Sequence, residues 1–279
     1  MRQALAAAAL LALAWPAGAR AADLGGGSPA RGLGGYRGQL TLVSLRTAPG
    51  GAAVVRALVA ASCGVGAIKA RANVAADGRF AVSAVKRDRD PGEAGVRRVA
   101  RVVVTGRITG VTATGTARTR ITLTRSGHVV ERCRTGARTW QARTPVAETV
   151  PSPPHASRGY FGLTGQTTHP RAIVLRVGAG ADHVQPVVFD YALDCGKRTR
   201  EGHNITPGGA IAADGSFHLA ERFTLRFSDA SERYRVKVSG RFTLHGVRGT
   251  LSVTSVARSR AGAVIERCHT GSVPFAGAL

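Results

Sequence analysis

Lysine and acidic residues are both scarce in this sequence. Only four lysines occur, so arginine supplies most of the 39 basic residues, and with 16 acidic residues the formal charge is +23. This charge sets a positive field around the protein. Because arginine-rich, lysine-poor chains are typical of GC-rich coding sequences, the charge alone is weak evidence for a polyanionic partner. The shortage of carboxylates disfavours enzymes that depend on a pair of them.

Long apolar stretches are also missing beyond the first 21 residues. Those residues have the features of a secretory signal: Arg2, an apolar run over residues 4–15, and the small-x-small sequence Ala19-Arg20-Ala21. The apolar run is shorter than the roughly 20 residues that span a bilayer. The sequence therefore predicts a signal peptide over residues 1–21, secretion to the extracellular space or cell envelope, and no transmembrane segment.

Two copies of one sequence unit make up the rest of the chain. The Glu-Arg-Cys-x-Thr-Gly motif of residues 131–136 returns at residues 266–271, and a large aromatic, Trp140 or Phe275, follows each cysteine by seven residues. Two units of about 110 residues result, an ordinary size for one domain. Solenoid repeats are shorter, at roughly 20 to 50 residues, so each unit should have its own core. Further matched pairs are Tyr36 with Tyr160, Cys63 with Cys195, Gly106 with Gly240, and Gly115 with Gly249.

The four cysteines lie at matching places, two in each unit. No Cys-x-x-Cys pair or histidine cluster accompanies them, so they indicate disulfides in an oxidising compartment and not a metal site. Of the three pairings that four cysteines allow, the repeat selects Cys63–Cys133 and Cys195–Cys268. No metal or cofactor is predicted.

The domain boundaries follow from the repeat and from composition. After the signal, glycines predict a flexible leader over residues 22–35. The first β domain should cover residues 36–143 and the second residues 158–279. Between them, the proline-rich segment 144–157 is expected to act as a semi-rigid linker that holds the domains apart.

Short runs of Val, Thr, Ile and Leu, broken by turn dipeptides such as Asp77-Gly78, predict antiparallel strands throughout. In the hairpin of residues 234–257, apolar and charged residues alternate, so one face should be core and the other solvent. Gly106 and Gly240 interrupt matching strands, which predicts a bulge or tight bend. The expected fold is all-β: two tandem antiparallel sandwiches or flattened barrels of about eight strands each.

The arginines of these hairpins are the candidate functional residues. By strand alternation, they lie on the solvent face of each unit, and an exported protein meets anionic polymers such as cell-wall or extracellular polysaccharides. Proteins that bind single-stranded nucleic acid stack its bases on aromatic side chains placed between basic ones. No such aromatics lie among these arginines, so no specific nucleic-acid partner is predicted. The candidate binding residues are Arg233, Arg235, Lys237, Arg241 and Arg248 in the second unit, and Arg101, Arg107, Arg118 and Arg120 in the first.

Acidic and histidine candidates for catalysis are weaker. Asp190 and Asp194 share one strand face, but four extended residues separate them by about 13 Å, against roughly 5 to 9.5 Å between glycosidase carboxylates. We therefore expect solvated or turn-stabilising roles for both. His128 and His269 flank the repeated motif at non-equivalent positions, so a shared catalytic or metal role is not supported.

Three further motifs have ordinary structural explanations. Asp77-Gly78 and Asp214-Gly215 lack the second carboxylate of a calcium loop, and Asp-Gly is the usual hairpin turn dipeptide. The matched Trp140 and Phe275 are expected in the core and not on a sugar-stacking surface. The Asn204-Ile205-Thr206 glycosylation pattern is interpreted as chance.

The Cys-x-Thr-Gly ends at Cys133 and Cys268, each closing on an aromatic, resemble uncharacterised secreted β-domain proteins of high-GC bacteria, whose domains end on a C-x-[ST]-G-x-x-x-[FW] strand. The match covers the last third of each unit, and Phe275 departs from the usual tryptophan. The resemblance implies export and a β fold and carries no known activity. The leading functional hypothesis is a non-enzymatic exported protein that binds an anionic polymer through its basic sheet faces; the alternative is a secreted polysaccharide hydrolase or lyase.

Overall fold

The computed structural model describes residues 22–28, 40–89, 95–166 and 169–279, and its regular elements are all strands. The predicted signal peptide lies outside these residues. The first unit contains β1 (Asp23–Ser28), β2 (Thr41–Ala48), β3 (Ala52–Ala61), β4 (Gly64–Asn73), β5 (Arg79–Arg89), β6 (Val96–Thr109), β7 (Thr112–Arg125), β8 (His128–Arg134) and β9 (Arg138–Arg143). The second unit contains β10 (Gly159–Thr164), β11 (Arg171–Arg176), β12 (His183–Val184), β13 (Val187–Asp194), β14 (Thr199–Thr206), β15 (Gly209–Ala210), β16 (Ser216–Arg226), β17 (Ala230–Thr243), β18 (Gly246–Ser259), β19 (Val264–His269) and β20 (Val273–Ala278).

The two units have the same sheet topology. The first sheet has the order β4-β3-β2-β1-β9-β7-β6-β5 with β8 paired to β7, and the second has the order β14-β13-β11-β10-β20-β18-β17-β16 with β19 paired to β18. Every pairing is antiparallel, and in the first unit β4 packs against β5, which nearly closes the sheet into a barrel. The predicted all-β fold of two tandem units is confirmed, with nine strands in each main sheet instead of about eight.

A glycine pair makes room for the aromatic of each closing strand. Gly106 is the cross-strand partner of Gly115, and a Cβ atom on either one would come within 2.6 to 2.7 Å of the Trp140 ring. In the second unit, a Cβ atom on Gly249 would lie 2.7 Å from the Phe275 ring. The register runs unbroken through these glycines. No bulge interrupts the strands at Gly106 or Gly240, so that part of the prediction is wrong, and nearby aromatic rings leave no room for a side chain there.

Each unit has its own apolar core with a disulfide at its edge. Trp140 packs within the first core and Phe275 within the second, as their positions in the repeat predict. The bridges are Cys63–Cys133 and Cys195–Cys268, with Cα–Cα distances of 6.0 and 4.2 Å. Both predicted pairings are confirmed, and each one joins the connection after β3 or β13 to the strand carrying the repeated motif.

The glycine-rich segment at the start of the described chain is not a flexible leader. Residues Asp23–Ser28 form β1, which lies inside the first sheet between β2 and β9. Leu24 is fully buried and occupies the place that Tyr160 has in β10 of the second unit, so the predicted match of Tyr36 with Tyr160 does not hold. Tyr36 itself lies outside the described residues. Glycine suits β1 because the backbone of Gly162 in the second unit approaches Gly25 too closely for a side chain.

The two units pack against each other. A third apolar cluster combines side chains from β2 and β3 of the first unit with others from β10, β11 and β13 of the second. The connecting segment 144–157 contains no strand beyond a single bridge from Pro151 to Thr243, and Ser152 donates its N–H to the Phe242 carbonyl. The expectation of a linker that holds the units apart is therefore wrong, because leucine and valine side chains of both units pack together in one buried cluster. The cluster comprises Leu40, Leu42, Leu58, Ala60, Phe161, Ala172, Val174 and Val188.

Candidate functional site: basic sheet faces

The outer face of β16–β19 is a continuous basic surface. Along β17, Tyr234, Val236 and Val238 are buried, while the alternating Arg233 and Arg235 are exposed, as period-two alternation predicts. The outward-facing basic residues of these four strands are Arg222, Arg226, Arg233, Arg235, Lys237, Arg241, Arg248, Arg258 and Arg267.

No carboxylate of the described β16–β19 residues points to this face. Glu221 is the cross-strand partner of the inward-facing Val236. Glu232 and Glu266 are both cross-strand partners of Ala257, so they share its inward-facing side of the sheet. Asp214, in the turn before β16, reaches the edge of the surface, where Arg241 donates to its Oδ2. The positive charge of the face is therefore almost uncompensated by the protein.

The first unit carries an equivalent surface. Asp88 and Glu131 both lie in register with inward-facing residues of the β5–β8 hairpins, so no carboxylate of these described strands points to the outer face. Asp77, in the turn before β5, reaches the edge of the face and pairs with Arg79 at 3.1 Å. Arg107 donates to the backbone carbonyl of Asp77, which fixes its side chain at the edge. The outward-facing arginines are Arg79, Arg87, Arg97, Arg101, Arg107, Arg118, Arg120, Arg132 and Arg134.

The predicted binding residues thus lie on the solvent face of adjacent strands in both units, but the prediction was incomplete. Arg267 and Arg132 were missed, although each precedes the inward-pointing cysteine of the repeated motif and must point outward by alternation. In the second unit, Arg233, Arg235, Arg258 and Arg267 surround a groove of about 470 Å³ that also contains the hydroxyls of Thr224 and Thr254. Lys237, Arg241 and Arg248 lie along the same face outside this groove.

The acidic pair considered from the sequence is split between two environments. Asp194 is exposed and its Oδ1 accepts the Gly196 N–H at 2.8 Å, so the expected turn-stabilising role fits. Asp190, in contrast, is 2% exposed and not solvated. The expected solvated role was wrong for Asp190 because the packing of the two units, which the sequence did not predict, covers its strand face.

Asp190 belongs to a buried ion-pair network between the units. Its Oδ2 accepts from Arg56 Nε of the first unit at 2.8 Å and from Arg171 Nη1 at 3.3 Å. Glu201 accepts from both arginines at 3.0 Å. Burial raises the pKa of Asp190, while the two guanidinium groups and the N–H of Ala172 oppose this shift. Two cations and two anions balance, so the network joins the units without leaving net charge buried.

The remaining candidates have structural roles. The Oδ1 atoms of Asp77 and Asp214 accept the N–H two residues later, which is the geometry of a turn and not of a calcium loop. Asn204 is 1% exposed and its amide donates to Thr206 and Glu221, so this side chain is inaccessible for glycosylation. The predicted interpretation of the pattern as chance is consistent with this burial.

One cluster in the described residues has the composition of a metal site. Cys195, Glu266 and Cys268 place their ligand atoms within 4.8 Å of one another. The two sulfurs form the disulfide, however, and Glu266 is engaged by Arg198 at 2.8 Å and by Arg200 at 3.2 Å. The sulfur ligands are therefore already used, and the carboxylate serves an ion-pair network that also includes Glu232.

His203 should make the stability of the protein sensitive to acid. It lies beside Asp190 on the strand face directed at the first unit, and burial lowers its pKa to about 4, with a smaller effect from Arg98. Below pH 6.5 the unfolded chain takes up a proton that the folded protein binds only near pH 4, so stability should fall across that window by up to about 3 kcal/mol. Denaturant titrations at several pH values measure this slope.

His203→Gln is the matched variant for that measurement. It keeps a polar side chain of similar size but cannot titrate, so its stability should fall less steeply than that of the wild type between pH 6.5 and 4. Carboxylate protonation is common to both proteins and cancels in the difference. Identical slopes would show that His203 titrates normally and is accessible to water.

Comparisons with known proteins do not assign the chain to a family. No family model matches it, and no curated protein matches it. Among solved structures, a protein from Nitrosomonas europaea described as a putative AttH aligns over 99% of this chain and 100% of its own, with 11% identity and a TM-score of 0.22. A TM-score this low establishes no shared fold. Within the described residues, no helix is long and apolar enough to cross a membrane.

Proposed function

We propose that this protein is an exported, non-enzymatic protein that binds an anionic cell-surface or extracellular polymer through its two basic sheet faces. One observation carries the proposal. The outer faces of β5–β8 and β16–β19 are equivalent by the repeat, and on both faces the described strands present arginines and no carboxylate. A face that only needed to be solvated would mix both signs of charge, as soluble surfaces usually do.

The chemistry of arginine suits such a partner. Its guanidinium group presents a planar fork of donors that matches carboxylate, phosphate and sulfate groups bidentately, and it remains charged at all physiological pH values. Threonines such as Thr224 and Thr254 add hydroxyl donors between the arginines. A polymer that contacts both faces of one molecule would bind more tightly than to either face alone, because the second contact is intramolecular.

The alternative function, a secreted polysaccharide hydrolase or lyase, lacks comparable support. Asp190 and Glu201 are held by arginines between the units, and Asp194 caps a turn. None of these three carboxylates lies on the basic faces where an acidic polymer would be held. Release of shorter fragments from an incubated polymer would favour the enzymatic alternative over simple binding.

Replacing Arg233, Arg235, Lys237 and Arg241 by glutamine tests the binding proposal. The variant should bind teichoic acid or polygalacturonate more weakly than the wild type and with a shallower dependence on salt, because fewer counterions are released on contact; in nucleic acids each lost contact reduces the slope of log K against log salt by about 0.7 to 0.9. Binding titrations at two salt concentrations measure both effects.

The control removes the same charge from elsewhere on the surface. Lys86, Arg158, Arg176 and Lys197 lie outside the two basic faces, and their replacement by glutamine should change affinity much less. Both variants should melt close to the wild type, since exposed ion pairs contribute about 0 to 1 kcal/mol each. Equal losses in the two variants would mean that net charge, and not the β16–β19 face, is responsible for binding.

A further inference from the structure

A second basic feature lies at the rim of the contact between the units, away from the two sheet faces. There the outer face of β2–β4 meets the loop that precedes β11 of the second unit, and together they enclose a groove of about 410 Å³. The first unit contributes arginines and a lysine, and the second contributes His169 and Pro170. The groove therefore forms only when the two units are packed together.

The floor of the groove is a compact grid of cations. Two adjacent rows of side chains run across three neighbouring strands on the same face. Strands in a sheet lie about 4.8 Å apart, and same-face residues along a strand lie about 6.8 Å apart. Four basic side chains therefore originate within an area of roughly 10 by 7 Å. The rows are Ser44, Arg56, Lys69 and Arg46, Val54, Arg71.

The protein neutralises only half of this charge. Arg46 makes a bidentate pair with Asp23, at 2.9 and 3.0 Å, and Arg56 is held by Asp190 and Glu201. No carboxylate of the described chain lines the groove itself. Among the residues that the structure describes, Lys69 and Arg71 have no carboxylate within ion-pair distance, and both are exposed at the groove. These two cations thus have no described carboxylate to neutralise them and can meet an anion from solution.

His169 shows the effect of this uncompensated charge. Lys69 Nζ contacts Nε2 of the ring, and a charged amine can donate only to a ring that is neutral at that nitrogen. Burial lowers the pKa of His169, and the positive charges of Lys69, Arg171, Arg56 and Arg46 lower it further. The groove is therefore lined by a neutral imidazole ring, by Lys69 in contact with that ring, and by Arg71.

The internal repeat shows that the fold does not require cations here. By strand order and register, the positions of Ser44, Arg56 and Lys69 correspond to Val174, Val188 and Ile205 in the second unit. Those three are apolar and pack in the cluster between the units. The charges of Arg56 and Lys69 are therefore properties of the first unit alone, whereas Arg46 has a basic counterpart in Arg176 of the second unit.

We propose that this groove binds a tetrahedral oxyanion, a phosphate or sulfate group, with Lys69 and Arg71 as its principal ligands. Small-molecule sites commonly occupy about 300 to 1,000 Å³, so the groove has room for a group of glycerol or sugar size attached to the anion. Arg46 and Arg56, held by their carboxylates, supply background positive potential, and His169 closes the groove from the second unit. This site does not depend on polymer binding at the sheet faces.

Calorimetric titration of the full mature chain with inorganic phosphate and with glycerol 3-phosphate, at constant ionic strength set by sodium chloride, tests the site. Both probes should bind at one site per chain. Lys69→Gln with Arg71→Gln should weaken both by about ten-fold or more, because two charge-assisted hydrogen bonds are lost. Tighter binding of glycerol 3-phosphate indicates a phosphoester ligand, whereas equal binding indicates the free anion, and either result supports the site.

The control variant carries Arg158→Gln with Lys197→Gln, which removes the same charge from exposed positions outside the groove. It should bind both probes as the wild type does. Melting temperatures near the wild-type value in both variants show that the fold is intact, as expected for exposed residues. No binding above the chloride background, or the same affinity in the two variants, overturns the proposal. The glutamine variant of the β16–β19 face, if it still binds phosphate, separates this site from the proposed polymer surface.

Discussion

Asp190→Ala should lower the free energy of unfolding by about 3 to 5 kcal/mol, the usual cost of removing one partner from a buried ion pair. Arg56 and Arg171 are 7% and 2% exposed, so neither can recover hydration when the carboxylate is lost. Glu201 remains but is half-exposed and cannot balance two guanidinium groups alone. Calorimetry and denaturant titration both measure the loss.

The unit in which Asp190→Ala lowers stability is as informative as the size of the decrease. Trp140 is the only tryptophan beyond the predicted signal peptide, so its fluorescence reports the first unit, while far-ultraviolet circular dichroism reports both. In the wild type the shared apolar cluster should make the two signals change together. In Asp190→Ala the contact is weakened, and the two transitions should separate.

Two variants test this interpretation. Asp194→Ala removes an exposed carboxylate from the same strand and should cost no more than about 1 kcal/mol, the net value of one hydrogen bond. Arg56→Val with Asp190→Leu inserts at each position the residue that stands at the equivalent place in the other unit. Because a buried pair can be replaced by apolar residues at little cost, this double variant should recover much of the lost stability. Equal stability of the Asp190 and Asp194 variants would contradict a buried network between the units.

Replacing Cys63 and Cys133 by serine should cost about 4 kcal/mol, because the bridge closes a loop with a sequence separation of 70 and so restricts the unfolded chain. The same replacement of Cys195 and Cys268, whose separation is 73, should cost nearly as much. The measurement is the free energy of unfolding of each double variant against the wild type.

Each disulfide variant also serves as the control for the other. Loss of Cys63–Cys133 should move the Trp140 fluorescence transition of the first unit most, whereas loss of Cys195–Cys268 should act mainly on the second unit. Peptide mapping of the oxidised wild type should find no bridge between the units. If either variant is as stable as the wild type, loop closure contributes nothing there and the native bridge must be strained.

The sequence predicted those parts of the fold that depend on local pattern and on the repeat. Alternation placed Arg233 outward and Val236 inward, and the repeated motif paired Cys63 with Cys133. The role of Gly106 was mistaken because a glycine in a strand is explained equally well by a bend or by a ring above it. Only the position of Trp140, which a distant strand sets, decides between the two.

Long-range packing accounts for the other failures. Residues 23–28 have the composition of a linker, and their burial depends on β9, more than a hundred residues away. The alternation along β13 assigned Asp190 to solvent correctly for an isolated unit. The sequence of that strand does not indicate that Arg56 of the other unit covers Asp190. The anion groove was missed for the same reason, since Lys69 and His169 are distant in sequence and meet only across the contact.

The contact between the units uses the same pair of strands from each of them, β2 and β3 against β11 and β13, as the isologous interface of a homodimer would. In a true homodimer both copies would have to carry the same residue at equivalent positions. Here Arg56 stands where the second unit has Val188, and Asp190 stands where the first has Leu58. Covalent linkage has allowed one shared surface to diverge into two complementary halves. The first unit produced alone should therefore fail to self-associate through this surface, because Arg56 would lose both Asp190 and Glu201 and would face no carboxylate of a second copy.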